Sequence, residues 1–185
     1  MKNYIKNKEL LKKNHVYSDD MEHDACGVGI IASTEGKKSR KVVEYGIEAL
    51  KAVWHRGAVD ADGKTGDGAG IHVEIPKDFF KEKIEVTGHT HDDSEIGVGM
   101  IFLPRNDYEA QESCKTIMES ELTKNGFSIY GWRQVPINPK VLGDKALQTM
   151  PEIIQVLFKS YNPELTNKHL ERKIYETRRK IENEA

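Results

Sequence analysis

Cysteine is scarce in this sequence. Cys26 and Cys114 are the only two among 185 residues, too few for a disulfide framework, so a reducing, cytoplasmic setting is expected. No apolar run comes near the roughly 18 residues of a membrane span. Lysines open the chain without an apolar stretch behind them, which does not fit a secretory signal peptide. Charge of one sign is lacking too. Lys and Arg number 28 against 30 Asp and Glu, a formal net charge of −2, which argues against a broad nucleic-acid footprint. Neither nucleic acid nor membrane is therefore expected as a partner. There is no internal repeat, and the length suits one domain of ordinary size.

What is present begins with a polar stretch over 1–25, lysine-rich and then acidic at Asp19, Asp20, Glu22 and Asp24. It reads as a leader outside the core. Strands are expected at 27–33, 71–75, 96–103, 127–135 and 151–158, with 96–103 apolar enough for a sheet centre. Ser39 is placed to cap a helix whose stripe is Val42, Val43, Ile47, Leu50 and Val53, with Gly57 near its stop. A short helix is expected from Pro76, a polar loop over 85–94, and a helix over 107–124 ended by Asn125-Gly126. The charged 164–183 stretch has helical period through Leu165, Leu170, Ile174 and Ile181, with no strand after it to cover. The order predicts an α+β fold, a helical layer against a mostly antiparallel sheet.

Cys26 stands at the head of Gly27-Val28-Gly29-Ile30-Ile31-Ala32. Most cysteines simply fill cores, but this one precedes an apolar run and follows a leader. Cleavage of the Ala25–Cys26 bond would put a free α-amine, with a reference pKa of about 7.7–8.0, beside a thiol of about 8.5. The amine then suffices as the base, and no histidine is required. Arg56 lies between His55 and a loop in which Gly63, Gly66, Gly68 and Gly70 crowd together. Its guanidinium is suited to holding a thiolate or loop backbone by charge-assisted hydrogen bonds. His55 fits better as a helix-end dipole partner. Gly63-Lys64-Thr65 ends like a phosphate-binding loop, but Ala58 stands where the first glycine is needed, so nucleotide binding is rejected. His89, His91, Asp92 and Asp93 are spaced too loosely for a metal set and read as a solvated turn. Cys114 reads as core or half-buried.

Taken together, three segments resemble the class II glutamine amidotransferases, and among them the glutamate synthases. They are Glu22-His23-Asp24-Ala25-Cys26-Gly27-Val28-Gly29, then His55 to Asp62 (His-Arg-Gly-Ala-Val-Asp-Ala-Asp), then Lys64-Thr65-Gly66-Asp67-Gly68-Ala69-Gly70-Ile71. Gly131-Trp132-Arg133-Gln134-Val135-Pro136 and the 151–158 run extend the likeness. The resemblance implies an N-terminal-nucleophile hydrolase, a four-layer αββα sandwich of which this chain carries the N-terminal portion. Residues 1–25 would be a propeptide and 26–185 a partial amidotransferase domain. Cys26 would attack the side-chain amide of L-glutamine, with Arg56 an active-site neighbour, and release ammonia for glutamate synthesis from 2-oxoglutarate. FMN and an iron–sulfur cluster are implied for the rest of such an enzyme and none for this chain. Its partners would be the remaining glutamate synthase domains or subunits.

The likeness has gaps. The family's Ser-Arg-Phe-Ser-Thr segment, which helps grip glutamine, does not occur here, nor does the Asn-Gly-Glu segment of its oxyanion hole. Oxyanion donors are worth several kcal/mol of barrier, so the chain alone is expected to be a poor glutaminase or none. The rival reading is a non-catalytic interaction or regulatory module of the same fold. Another class II amidotransferase, delivering ammonia to a sugar phosphate, is disfavoured by Gly66-Asp67-Gly68-Ala69-Gly70.

Overall fold

The computed structural model describes Lys6, Glu9, Leu10 and residues 27–53, 57–92, 94–165 and 167–185. Cys26, His55, Arg56, Asp93 and nearly all of the expected leader lie outside the described residues. The chain divides into two compact units, one of 1–58 and 69–71, the other of 59–68 and 72–185.

In the first unit, α1 runs Arg40–Ala52, and Ser39 caps it by accepting from the Lys41 N–H at 3.2 Å. Val42, Val43, Ile47 and Leu50 are half-buried as the stripe predicts, and Val53 is already exposed. The helix stops at Ala52, five residues before Gly57. A tight turn at 34–35 closes through the Gly36 N–H to Ser33 O bond, with Gly36 at φ 66°. Ile71 packs onto α1 so closely that a Cβ on Gly46 would lie 3.1 Å from its Cδ1. The expected strand at 27–33 is irregular chain, not strand, and Val28 and Ile30 are exposed. The same correction applies to 71–75. A strand needs a ladder for its N–H and C=O groups, and among the described residues neither segment belongs to the paired strands.

The second unit is built on a three-stranded sheet of β1 (Gly97–Leu103), β2 (Phe127–Gln134) and β3 (Glu152–Ser160), in the order β1-β3-β2. Both pairings are antiparallel, from Gly97↔Phe158 to Leu103↔Glu152 and from Phe127↔Ser160 to Gln134↔Ile154. The centre is therefore β3 and not 96–103. Ile153 to Phe158 is a nearly unbroken apolar run whose alternate side chains enter two cores, as a strand covered on both faces requires. Val156 and Phe158 join Phe127, Leu122 and Leu170 on one face. Leu157 joins Tyr130, Ile96, Phe80 and Ile84 on the other. Burying Phe127 and Leu157 completely contributes about 1.5–3 kcal/mol each. β1 keeps an outer edge, and its Met100 and Phe102 are exposed.

Helices cover both faces. α2 (Lys77–Val86) supplies Phe80 and Ile84 to one, so the polar loop begins at Thr87, not 85. α3 (Tyr108–Lys124) supplies Leu122 to the other. Asp107 caps α3 by accepting from the Ala110 N–H at 2.9 Å, and Asn125 with Gly126 at φ 82° ends it. Within β2 the register shifts between Ile129 and Gly131, with Gly131 at φ 144°. Before β3, a 3-10 turn (Pro139–Val141) and a short α4 (Asp144–Thr149) occupy a stretch with no helical stripe in sequence. α5 (Asn167–Glu184) lies on the sheet already formed: Leu165, Leu170, Ile174 and Ile181 pack on the Val156 and Phe158 core. An amphipathic helix needs no following strand when an earlier sheet offers its face. Among the described residues, no helix is long and apolar enough to cross a membrane.

Candidate functional site

The glycine-rich segment that follows Arg56 in sequence is a small, internally bonded hairpin. Val59 and Gly66 form an antiparallel bridge, and the Asp60 N–H donates to Thr65 O at 2.7 Å. The Gly63 N–H donates to Asp60 O at 2.9 Å, with Gly63 at φ 69°, where a side chain would be strained. Asp62 organises the tip. Its Oδ1 accepts from the Lys64 and Thr65 N–H groups at 2.9 and 2.7 Å, and its Oδ2 from the Thr65 hydroxyl at 2.5 Å. These donors, the Thr65 hydroxyl foremost, lower the Asp62 carboxyl from 3.8 to about 2. Not all the glycines serve a special conformation, since a Cβ on Gly68 or Gly70 would meet nothing within 4 Å.

Sequence reasoning missed the stretch that meets this hairpin. Lys145 Nζ pairs with Asp60 Oδ2 at 2.6 Å. Gly143 backs onto the tip, so a Cβ there would stand 2.6 Å from the Thr65 nitrogen and closer still to Thr65 Oγ1 and Asp62 Oδ2. No local signal marks 143–145, because its partners lie some eighty residues earlier in the chain.

The two expected catalytic residues, Cys26 and Arg56, are outside the described residues. Their neighbours in sequence do meet. A Cβ on Gly27 would be in ordinary contact, 3.7 Å, with Cβ and Cγ2 of Val53. The 87–96 loop uses its polar groups on the fold. His89 Nδ1 lies 3.2 Å from the Thr87 hydroxyl, and His91 Nε2 lies 3.0 Å from Ser94 O. Both imidazoles stand 6.0 Å from the Tyr130 ring. Asp92 pairs with Lys159, which with the Ser94 hydroxyl holds its carboxyl well below the usual range. Among the described residues, no group of three or more His, Cys, Asp or Glu could hold a metal ion. Cys114 is a half-buried free thiol on α3.

Comparison with known proteins decides the family. A model of the class-II glutamine amidotransferases matches residues 26–185. The chain belongs to that family. Among the relatives of this amidotransferase is the glutamate synthase (NADPH) large chain of Azospirillum brasilense, 53% identical over 176 residues, 95% of this chain and 12% of that protein. Ferredoxin-dependent glutamate synthase 2 of Arabidopsis thaliana is 38% identical over 175 residues, 93% of this chain and 11% of its own. The glutamate synthase (NADPH) large chain of Bacillus subtilis is 33% identical over 175 residues, again 95% of this chain and 11% of its own. The chain thus spans about one-ninth to one-eighth of the length of these relatives. The family of the motifs at 22–29, 55–62 and 64–71 is the family the comparison returns.

Proposed function

We propose that this chain is the glutaminase portion of a glutamate synthase, with Cys26 as its nucleophile. The observation that carries the reading is the family match, whose first residue is Cys26 itself. In this reading residues 1–25 form a propeptide, and their removal leaves a cysteine whose own α-amine accepts the thiol proton. The thiolate attacks the side-chain carbonyl carbon of L-glutamine. The tetrahedral intermediate collapses with loss of ammonia, which takes the proton held by the amine, and leaves a γ-glutamyl thioester. Water then adds to the thioester, releasing glutamate and restoring the thiol. Arg56 steadies the thiolate. The contact between Gly27 and Val53 supports the pairing, since each is a near sequence neighbour of one candidate.

Ammonia passes to a synthase domain that makes glutamate from 2-oxoglutarate, an oxidoreductase step of nitrogen assimilation in the cytoplasm. FMN and an iron–sulfur cluster belong to that domain. The fold in this reading is the αββα sandwich of N-terminal-nucleophile hydrolases, and the mixed α/β content with a small antiparallel sheet is in keeping with it. The isolated chain is a poor glutaminase, because the segments that grip glutamine and stabilise the oxyanion do not occur in it.

Mass spectrometry of the purified chain tests the reading. Loss of residues 1–25 together with covalent capture of Cys26 by a diazoketone analogue of glutamine is the expected result. An intact Ala25–Cys26 bond with an unreactive thiol would instead favour the non-catalytic module.

A further inference from the structure

We infer that the outer edge of β1 is the seat of a fourth strand, supplied by the polypeptide that follows α5 in the parent enzyme and running antiparallel to β1. This rests on the part of the reading above that makes the chain a portion of a longer glutamate synthase, and not on Cys26. From β1 onward the main elements follow as β1, α3, β2, β3 and α5. The sheet order is β1-β3-β2, with both pairings antiparallel. β1 and β2 are thus parallel to each other, connected through α3, with β3 between them. These are the first five elements of a split β-α-β-β-α-β unit. The sixth element of such a unit is a strand after α5.

Handedness says where that strand goes. Connections between parallel strands of one sheet are right-handed in about 98% of cases. Leu122 of α3 and Leu170 of α5 share the core of Val156 and Phe158, so both helices cover the same face. From β1, the connection through α3 passes over β3 to reach β2. β3 points the opposite way, so a connection of the same hand over the same face passes from β3 over β1. It delivers its strand to the outer edge of β1. Among the described residues that edge is not part of any ladder.

The surroundings of β1 fit such an occupant. Leu170 and Ile174 of α5 line one groove with Gly97 and Val98. The end of α5, through Ile181 and Ala185, lines a second groove of about 600 Å³ that extends along β1 to Leu103. A chain that turns back after α5 therefore enters at the Leu103 end and runs toward Gly97. Side chains in this second groove are apolar except at Thr177, Arg178 and Glu182. On the other face of β1, Met100 and Phe102 are 51% and 63% exposed. An added strand sends alternate side chains to the two faces. One set fills the groove and the other covers Met100 and Phe102. The occupant is thus an extended segment about as long as β1 and apolar on both faces.

The test compares the full 185-residue chain with the same chain extended past Ala185. This chain covers 12% of its 53% identical relative, and the extension is the next stretch of that relative beyond the match. About forty residues leave room for a connection and a strand. Hydrogen exchange and backbone NMR are recorded on both chains when dilute. In the 185-residue chain, the β1 amides that do not face β3 should exchange freely. In the extended chain they should slow about tenfold or more, and Hα–Hα NOEs should join β1 to added residues in antiparallel register. The β3 amides, already paired, should not change. If the hybrid fails to fold, the relative's own polypeptide decides, cut at the corresponding residue and again about forty residues later. Added residues that leave the β1 amides unprotected, or that pair with β2, overturn the proposal. So does protection that arises in both chains only as concentration rises, which gives the seat to a second copy. No readout involves Cys26, so failure of the glutaminase chemistry and failure of the fourth strand are told apart.

Discussion

The ring of Phe158 occupies the space where a side chain on Gly97 would stand. The two are register partners across β1 and β3, and a Cβ on Gly97 would lie 2.7 Å from Cδ2 of the ring and closer still to Cε2 and Cζ. Glycine is required there by close approach, not by φ. Gly97→Ala should cost about 1–3 kcal/mol through overpacking, read as a lower urea midpoint with unchanged slope. Adding Phe158→Leu should return part of the loss, because the two positions are coupled. An alanine variant as stable as wild type would show that the ring moves aside freely.

Gln155 is a buried polar residue in the central strand, and its Oε1 accepts from Arg133 Nη1 at 2.6 Å. The Arg133 guanidinium also lies 5.2 Å from the centre of the Phe79 ring. Gln155→Ala removes the acceptor and leaves the cation half-buried without it, at a cost of about 1–3 kcal/mol. Replacing both residues with apolar ones of similar size should cost less than the single change. Chemical denaturation of the two variants distinguishes these outcomes.

The Asp62 carboxyl titrates at about 2 instead of 3.8 because the folded hairpin donates to its charged form, through the Thr65 hydroxyl first. A depressed value favours the folded hairpin wherever the unfolded chain is also ionised. The stabilisation is therefore complete above about pH 4 and is lost as pH falls through 2. Carboxyl NMR should give a midpoint near that low value. Thr65→Val should move it upward by removing the largest contribution. A wild-type midpoint at the ordinary aspartate value would refute the hydrogen-bond account.

Cys26→Ser exchanges sulfur for oxygen with almost no change in size. Labelling of residue 26 by the glutamine diazoketone should be abolished. Thermal unfolding should stay within about 0.5 kcal/mol of wild type, because the exchange is nearly isosteric. Persistent labelling in the serine variant would point to a different nucleophile.

Local chemistry was legible in the sequence. Ser39 and Asn125-Gly126 mark helix ends because capping is decided within a few residues, and the structure places them as read. The strands at 97–103, 127–134 and 152–160 were visible as apolar runs. Their order was not, since pairing is a long-range choice that put β3 between two earlier strands. Segments 27–33 and 71–75 have strand-like composition, but composition supplies no hydrogen-bonding neighbour. The site divides in the same way. Motif spacing alone pointed to Cys26, Arg56 and a glycine-rich loop, whereas its hairpin form and the roles of Gly143 and Lys145 emerge only from what they touch.

Among the described residues β1 has a free margin, and that has a practical consequence. Gly97-Val98-Gly99-Met100-Ile101-Phe102-Leu103 carries no charge and no proline, the two devices that ordinarily discourage strands of separate molecules from zipping together. At high concentration the purified chain should self-associate through this seam. A lysine in place of Met100, on its exposed side, is the simplest remedy for solubility.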